Sequence, residues 1–255
     1  MRYLPLFLAW LPWAALAGTP TAVRDYNDYV LAAVKTLPDG GPYSKKDDAT
    51  IALGKSLSND HGMLKQDPSL ACPVYCSGAS YEAFVGALIK LQREKKLQLR
   101  DEIVDGLLVN MQPDGTDVWG RWNANGPGTA RLFFELSLGS NTMDWAQAKP
   151  GDFMKIFYTD QIGKLEHGHS VVFLGTFTKD GVDYVKYWSS DPPSGRGITS
   201  IPKTKVFRAI FSRLQHPENL NNIPSLPKSD PYLASLLTTP STLEEMKEKI
   251  GLNRN

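Results

Sequence analysis

The sequence predicts an α+β domain in which N-terminal helices pack on an antiparallel β-sheet. The first half of the chain holds segments whose apolar residues recur at helical spacing. The second half holds short runs rich in β-branched and aromatic residues, which turn residues separate. Because the helices come first and the strands second, the order favours an α+β domain over alternating βαβ units.

The N-terminus has the features of a secretory signal. A basic start precedes an apolar run from Tyr3 to Leu16, which ends in small residues before Gly18. The run is short for a membrane span, although an uncleaved anchor is the alternative interpretation. We therefore expect residues 1–17 to be removed and the mature protein to be periplasmic or secreted, without stable membrane insertion.

The remaining chain has the composition of an ordinary soluble globular protein. We expect residues 18–215 to form one domain and residues 216–255 to form a C-terminal extension. The formal net charge is +1, so electrostatics give no reason to expect nucleic acid or an anionic membrane surface as a partner. The cysteines and histidines lack the spacings of metal ligands, so we expect neither a metal nor another cofactor.

Periodicity and breaker residues predict the elements in order. Predicted helices cover residues 21–36, 47–57, 77–94, 100–110 and 129–138. The polar stretch from Ser58 to Ser69 is predicted to be a loop. Predicted strands lie within residues 150–158, 168–175, 184–189 and 205–211. In the C-terminal extension a charged helix is predicted over residues 243–250, and we expect the extension to pack peripherally or to be mobile.

Residues 111–129 are so rich in Gly, Pro, Asn and Asp that no regular structure is predicted there. A long loop with large aromatic residues is more often functional than a linker, because ordering it costs entropy. We therefore expect it to line a substrate groove, unless the tryptophans are only core anchors. Its candidate contacts are Trp119, Arg121, Trp122, Asn123 and Asn125.

Cys76 lies where a turn becomes the helix predicted over residues 77–94. Unpaired N–H groups and the positive end of the helix dipole stabilise a thiolate over a thiol at such a position. Cys72 is the other cysteine of the chain. In an oxidising compartment a Cys72–Cys76 disulfide is the alternative, although its small loop gains little stability and Pro73 restricts the backbone of Cys72.

A cysteine nucleophile needs a base, and four histidines are available. His61 lies in a polar loop and His216 follows the last predicted strand, so both are expected at the surface. His167 and His169 flank Gly168 at the start of an apolar strand. Strand alternation places His169 on the same face as apolar residues, where its ring can be held rigidly. A structural role is the alternative, but a helix-capping cysteine in the same domain favours His169 as the base.

Three short motifs occur in a familiar order. Cys76-Ser-Gly78 opens a helix, Ala148-Lys-Pro-Gly-Asp-Phe153 leads into a strand, and His169-Ser-Val-Val-Phe-Leu-Gly175 forms the next strand. Over roughly residues 70–212 the chain resembles the cysteine-peptidase core of the NlpC/P60 superfamily. In that family the motifs are Asp-Cys-Ser-Gly, Pro-Gly-Asp-Leu and His-Val-Gly-Ile-Tyr-Leu-Gly. Tyr75 stands where the family has Asp, and it is a further candidate for contact with substrate.

The resemblance implies a papain-like fold and hydrolysis of amide bonds in cell-wall peptides, with Cys76 as nucleophile and His169 as general base. It also implies a third polar residue on the strand after the histidine. Asp191 is the first choice because an anionic acceptor orients and stabilises an imidazolium, and Ser189 or Ser190 are alternatives. The backbone N–H of Cys76 is the expected oxyanion donor.

The sequence therefore predicts a secreted cysteine hydrolase that acts on peptidoglycan or another peptide. The alternative is a non-enzymatic extracytoplasmic module of the same fold that binds a glycan or peptide, with Cys72 and Cys76 bridged. The bond that is cleaved and the oligomeric state stay open.

Overall fold

A computed structural model describes residues 24–253, so the predicted signal at residues 1–17 lies outside the described residues. The fold is α+β, as predicted. The helices are α1 (Asn27–Val34), α2 (Asp47–Ser56), α3 (Cys76–Arg93), α4 (Asp101–Leu107), α5 (Asp117–Asn123), α6 (Gly128–Glu135), α7 (Pro231–Ser235) and α8 (Leu243–Lys249). The strands are β1 (Leu57–Asp60), β2 (Met63–Gln66), β3 (Gly139–Thr142), β4 (Phe153–Phe157), β5 (Gly168–Lys179), β6 (Val182–Asp191), β7 (Gly195–Pro202) and β8 (Arg208–Leu214).

Six strands form one antiparallel sheet in the order β3-β8-β4-β5-β6-β7. β5 and β6 pair with Val172 opposite Trp188. Carried on by three residues, this register brings His169, at the start of β5, across from Asp191, at the end of β6. The antiparallel pairing of consecutive strands thus joins two residues that are far apart in sequence.

Helix α3 is the central element of the fold. Its side chains are buried on nearly all sides, as expected for a helix enclosed by the core. Phe84 of α3 stacks on Trp122 with ring centroids 4.9 Å apart, and Phe153 of β4 meets the same indole edge-on at 5.0 Å. These contacts fix α3 against α5 and the sheet, so the first residue of α3 has a defined position.

The predicted loop at residues 58–69 is wrong, because β1 and β2 form a hairpin there. His61 and Gly62 have φ of 52° and 80°, and two positive φ values are what a type I′ turn requires. His61 is exposed at this turn, as expected for a surface residue. The sequence analysis also missed β3 and β7, whose residues include few strong β-formers.

Residues 111–129 are not wholly irregular, because they contain α5. Trp119 and Trp122 are each 1% exposed and Arg121 is 0% exposed, so none of the three lines a groove. The prediction that they contact substrate is wrong, and the tryptophans are core anchors. Arg121 donates to Glu135 at 2.8 Å and to the Pro227 carbonyl at 2.7 Å, which satisfies its buried charge.

The C-terminal extension is part of the core, so the prediction of peripheral packing is wrong. Leu233 and Met246 are both 0% exposed. Arg131 of α6 pairs with Asp230 at 2.7 Å and donates to the Lys249 carbonyl at 2.8 Å. The predicted helix at residues 243–250 is confirmed as α8. Within the described part of the chain, no helix has both the length and the apolar character needed to cross a membrane.

Candidate active site

Cys76 is the first residue of α3 and is half-buried. No side chain caps the N-terminus of this helix, and its first turn contains no acidic residue. The N–H groups of that turn therefore remain available to an anion beside the sulfur. Cys72 and Cys76 are both free thiols, and Cys72 is exposed, so the alternative disulfide is not formed in this structure.

His169 and Asp191 complete a line of three groups with Cys76. His169 is 7% exposed, and its ring contacts the Cys76 sulfur. Its Nε2 lies 3.1 Å from Asp191 Oδ1, which is an ion-pair distance. Asp191 stabilises the protonated ring both by its closeness to Nε2 and by its negative charge. Because Nε2 faces Asp191, Nδ1 is the nitrogen left for Cys76.

The surroundings of Cys76 and His169 favour the charged form of both groups. Burial opposes ionisation of Cys76, but His169, the backbone N–H of Ser170 and Lys155 outweigh it and lower the thiol pKa to about 7. Burial likewise opposes charge on His169, but the thiolate of Cys76 and the carboxylate of Asp191 raise its pKa to about 9. Between these values the pair exists as thiolate and imidazolium.

Asp191 is held by its own contacts. It accepts hydrogen bonds from Tyr187 Oη at 3.4 Å and Thr199 Oγ1 at 3.2 Å. Burial works against its charge, but His169 and these hydroxyls lower its pKa. The alternatives Ser189 and Ser190 instead donate to the carbonyls of Ser170 and Val74, so the carboxylate is the partner that faces the imidazole.

Cys76 and His169 line a cleft of about 320 Å³. Tyr75, Asn123 and Asn125, the other candidate substrate contacts from the sequence, line this cleft, and His167 lies in its wall. Its remaining lining residues are Tyr43, Lys45, Ser77, Asp114, Ala124, Lys155, Glu166, Gly168, Ser170 and Leu237.

Tyr43 is a cleft residue beside Cys76 that the sequence analysis missed. Burial and the charges of Cys76 and Asp191 raise the pKa of this phenol, and its hydroxyl is within hydrogen-bonding reach of the Cys76 sulfur. The phenol therefore stays protonated and can donate to a thiolate. No local pattern marks it, because it lies in an irregular segment before α2 and meets Cys76 only through the fold.

A charged cluster forms the far side of the cleft. Lys155 Nζ lies 2.5 Å from Glu166 Oε1. The other oxygen of Glu166 accepts from the N–H groups of Gly126 at 2.7 Å and Gly163 at 3.0 Å. Asp114 accepts from the Asn125 N–H at 3.3 Å, and burial raises its pKa. The cluster gives the cleft polar groups of both signs.

Tyr75 and Asn123 are fixed by neighbours that are close to Cys76. The Tyr75 hydroxyl is 3.0 Å from Thr50 Oγ1, and burial raises its pKa to about 12. Ser77, next to the cysteine, donates to Asn123 Oδ1 at 2.6 Å. The cleft wall at Asn123 is therefore bonded to the same helix turn that carries the thiol, and Tyr75 is bonded to α2.

Among residues 24–253 no three His, Cys, Asp or Glu side chains cluster so as to hold a metal ion. Comparisons with protein-family models, with curated proteins and with solved structures find no match to this chain.

Proposed function

We propose that the protein is a thiol hydrolase that cleaves amide bonds, with Cys76 as nucleophile, His169 as general acid and base, and Asp191 as the group that holds the imidazolium. The observation that carries the proposal is the contact of Cys76, at the uncapped start of α3, with a buried histidine that faces a carboxylate. A thiol with a lowered pKa beside an imidazole with a raised pKa, both at an open cleft, is the pattern that marks a candidate functional site.

In the proposed reaction the Cys76 thiolate attacks the amide carbonyl, and the carbonyl oxygen takes up the negative charge. The backbone N–H of Cys76, free at the helix start, stabilises that oxyanion. His169 then donates its proton to the leaving nitrogen, the C–N bond breaks and a thioester remains. His169 next takes a proton from water, which attacks the thioester, and the carboxylic acid leaves as the thiolate re-forms.

The substrate class follows from the cleft and from the sequence. A peptide backbone suits an open cleft lined by amide, hydroxyl and charged groups of both signs. The resemblance of the three motifs to the NlpC/P60 superfamily supports a papain-like core and a cell-wall peptide as substrate. The apolar leader supports export to the compartment where peptidoglycan lies.

The direct test is release of amino groups from purified peptidoglycan. Wild type is compared with Cys76→Ala and His169→Ala, and Cys72→Ala is the matched control because it removes the exposed thiol. We expect wild type and Cys72→Ala to release amino groups and the other two variants to release none. Equal release by all four proteins would contradict the assignment, and retention of peptidoglycan without any release would favour a binding module.

A further inference from the structure

Asn123 is the last residue of α5 and lines the cleft that holds Cys76. Two buried contacts fix α5 on the first turn of α3. Trp122 Nε1 lies 3.2 Å from both the Ser77 carbonyl and Ser80 Oγ, and it can donate to either. The residue after this anchored indole therefore has a fixed position relative to the start of α3.

The side-chain amide of Asn123 is also oriented. Ser77 Oγ donates its proton to Asn123 Oδ1 at 2.6 Å, so the carbonyl end of the amide points at Ser77. The amide nitrogen must then point away from Ser77. None of the described residues accepts a hydrogen bond from Asn123 Nδ2.

Hydrolysis by a thiolate needs donors for the charge that develops on the carbonyl oxygen. The Cys76 N–H supplies one donor, and Asn123 Nδ2 brings two unused N–H groups to the same end of α3. The amide is neutral, so it does not compete with His169 for the thiolate, and it is held in place before substrate binds. A preoriented neutral donor is what oxyanion stabilisation requires.

We infer that Asn123 Nδ2 is a second oxyanion donor, which acts together with the backbone N–H of Cys76. The inference rests on the proposed thiol chemistry but not on the identity of the natural substrate. It assigns Asn123 a catalytic contact with the reacting carbonyl, instead of a general role in substrate binding. Ser77 is then a positioning residue that fixes the amide.

Two reagents that react with Cys76 distinguish stabilisation of an oxyanion by Asn123 from an effect of Asn123 on the thiolate. With p-nitrophenyl acetate the thiolate attacks the ester carbonyl, an oxyanion forms, the C–O bond breaks, and p-nitrophenolate leaves an S-acetyl group on Cys76. With iodoacetamide the thiolate displaces iodide, and no carbonyl oxygen gains charge. Loss of an oxyanion donor must therefore slow the acetylation and spare the alkylation.

We expect Asn123→Ala to slow acetylation of Cys76 by about 100-fold, the usual effect of removing one such donor. Alkylation by iodoacetamide should keep the wild-type rate. Asn123→Asp keeps an acceptor for Ser77 but has no N–H donor, so it should slow acetylation at least as much while it preserves the local fold. Asn222→Ala is the matched control, because it removes an exposed amide outside the cleft, and its acetylation rate should equal that of wild type.

Acetylation of Asn123→Ala at the wild-type rate would overturn the inference, whatever the peptidoglycan assay gives. Equal slowing of both reactions would overturn it too, since the variant would then have disturbed the thiolate and not the oxyanion. A wild-type protein in which neither reagent labels Cys76 would overturn the thiol hydrolase itself.

Discussion

Helix α3 carries two buried charged sites that differ in how they are built. At its first residue, Cys76 meets His169; the pKa of the thiol is lowered to about 7 and that of the imidazole is raised to about 9. Further along the helix, Glu82 accepts from Arg196 Nε at 2.8 Å and from Nη2 at 3.0 Å. The guanidinium also donates to the Ala71 carbonyl, so each end of this second pair is satisfied.

The difference lies in which groups can exchange a proton. A guanidinium does not lose its proton in proteins, so in the pair that joins β7 to α3 only the Glu82 carboxyl can exchange a proton, and Arg196 donates to both of its oxygens. A thiol and an imidazole can both exchange protons near neutral pH, and the cleft leaves them open to a ligand. The enclosed, doubly bonded pair suits a structural role, whereas the pair at the cleft, in which both partners exchange protons, suits chemistry.

Removal of His169 should give the largest effect. In His169→Ala, burial is no longer opposed by the imidazolium, so we expect the Cys76 pKa to rise from about 7 to or above its ordinary value of 9.0. Amide hydrolysis should fall by roughly 10⁴-fold or more. The pH dependence of iodoacetamide alkylation measures the pKa. His167→Ala, an exposed histidine of the same cleft, is the control, and an unchanged alkylation profile in His169→Ala would remove His169 from the mechanism.

The Glu82 pair should respond to substitution in an asymmetric way. Glu82→Gln leaves a buried charge that cannot be neutralised, and we expect it to lower the free energy of unfolding by about 3 kcal/mol. Arg196→Met leaves a carboxyl that can take up a proton instead. Burial already raises the pKa of Glu82 from 4.5 to about 7. The stability that the protonated carboxyl contributes is therefore fully present below pH 4.5 and is lost as the pH rises through 7.

The cost of Arg196→Met should therefore be smaller at pH 5 than at pH 8, whereas the cost of Glu82→Gln should vary less with pH. Denaturant unfolding at both pH values measures the difference. Equal pH dependence in the two variants would mean that Glu82 does not protonate when its partner is lost, and the contrast between the two sites of α3 would then fail.

Asp191→Asn should reduce hydrolysis mainly at alkaline pH. The carboxylate helps raise the pKa of His169 to about 9, so hydrolysis should be lost as pH rises through that value. Without the charge the imidazolium loses its proton at lower pH, and a fall of about one pKa unit should give roughly a twofold loss near pH 8 and about a tenfold loss near pH 10. Asp183→Asn changes an exposed carboxylate of the same strand and should keep the wild-type profile.

The smallest effect is expected for Lys155→Met. Lys155 lowers the Cys76 pKa less than His169 does, and its own charge is paired with Glu166. We expect alkylation near pH 7 to slow by about twofold, because a small rise in pKa reduces the thiolate fraction. Lys164→Met, at an exposed position, is the control. A loss as large as that of His169→Ala would mean that Lys155 is the principal cation at the thiol.

The sequence predicted the elements that have long periodic patterns. The helix predicted at residues 77–94 is α3 within one residue at each end, and the four predicted strands are β4, β5, β6 and β8. The strands β1, β2 and β3 were missed because four residues are too few for a period to register, and α5 was missed because it lies in a stretch rich in Gly, Pro and Asn. α5 shows this best: its buried Trp122 was indistinguishable from a groove residue until its packing partners were known.

For the candidate site, the sequence could indicate groups whose local setting is informative. Cys76 at a helix start, His169 at a strand start and Asp191 at a strand end all have such settings, and the sheet brings the last two together. Tyr43, Asp114 and Glu166 could not be found in this way. They reach the cleft from irregular segments, so only the tertiary fold gives them a role.

Glu166 also holds the walls of the cleft in place. Its carboxylate joins the backbone at Gly126 and Gly163 to Lys155 of β4. Two rim segments and a strand of the sheet are thus fastened at a single buried point. The cleft walls are already ordered in the folded protein. The protein therefore loses little conformational entropy when a ligand binds. Selection among ligands then depends on whether they fit a cleft whose shape is set before they bind.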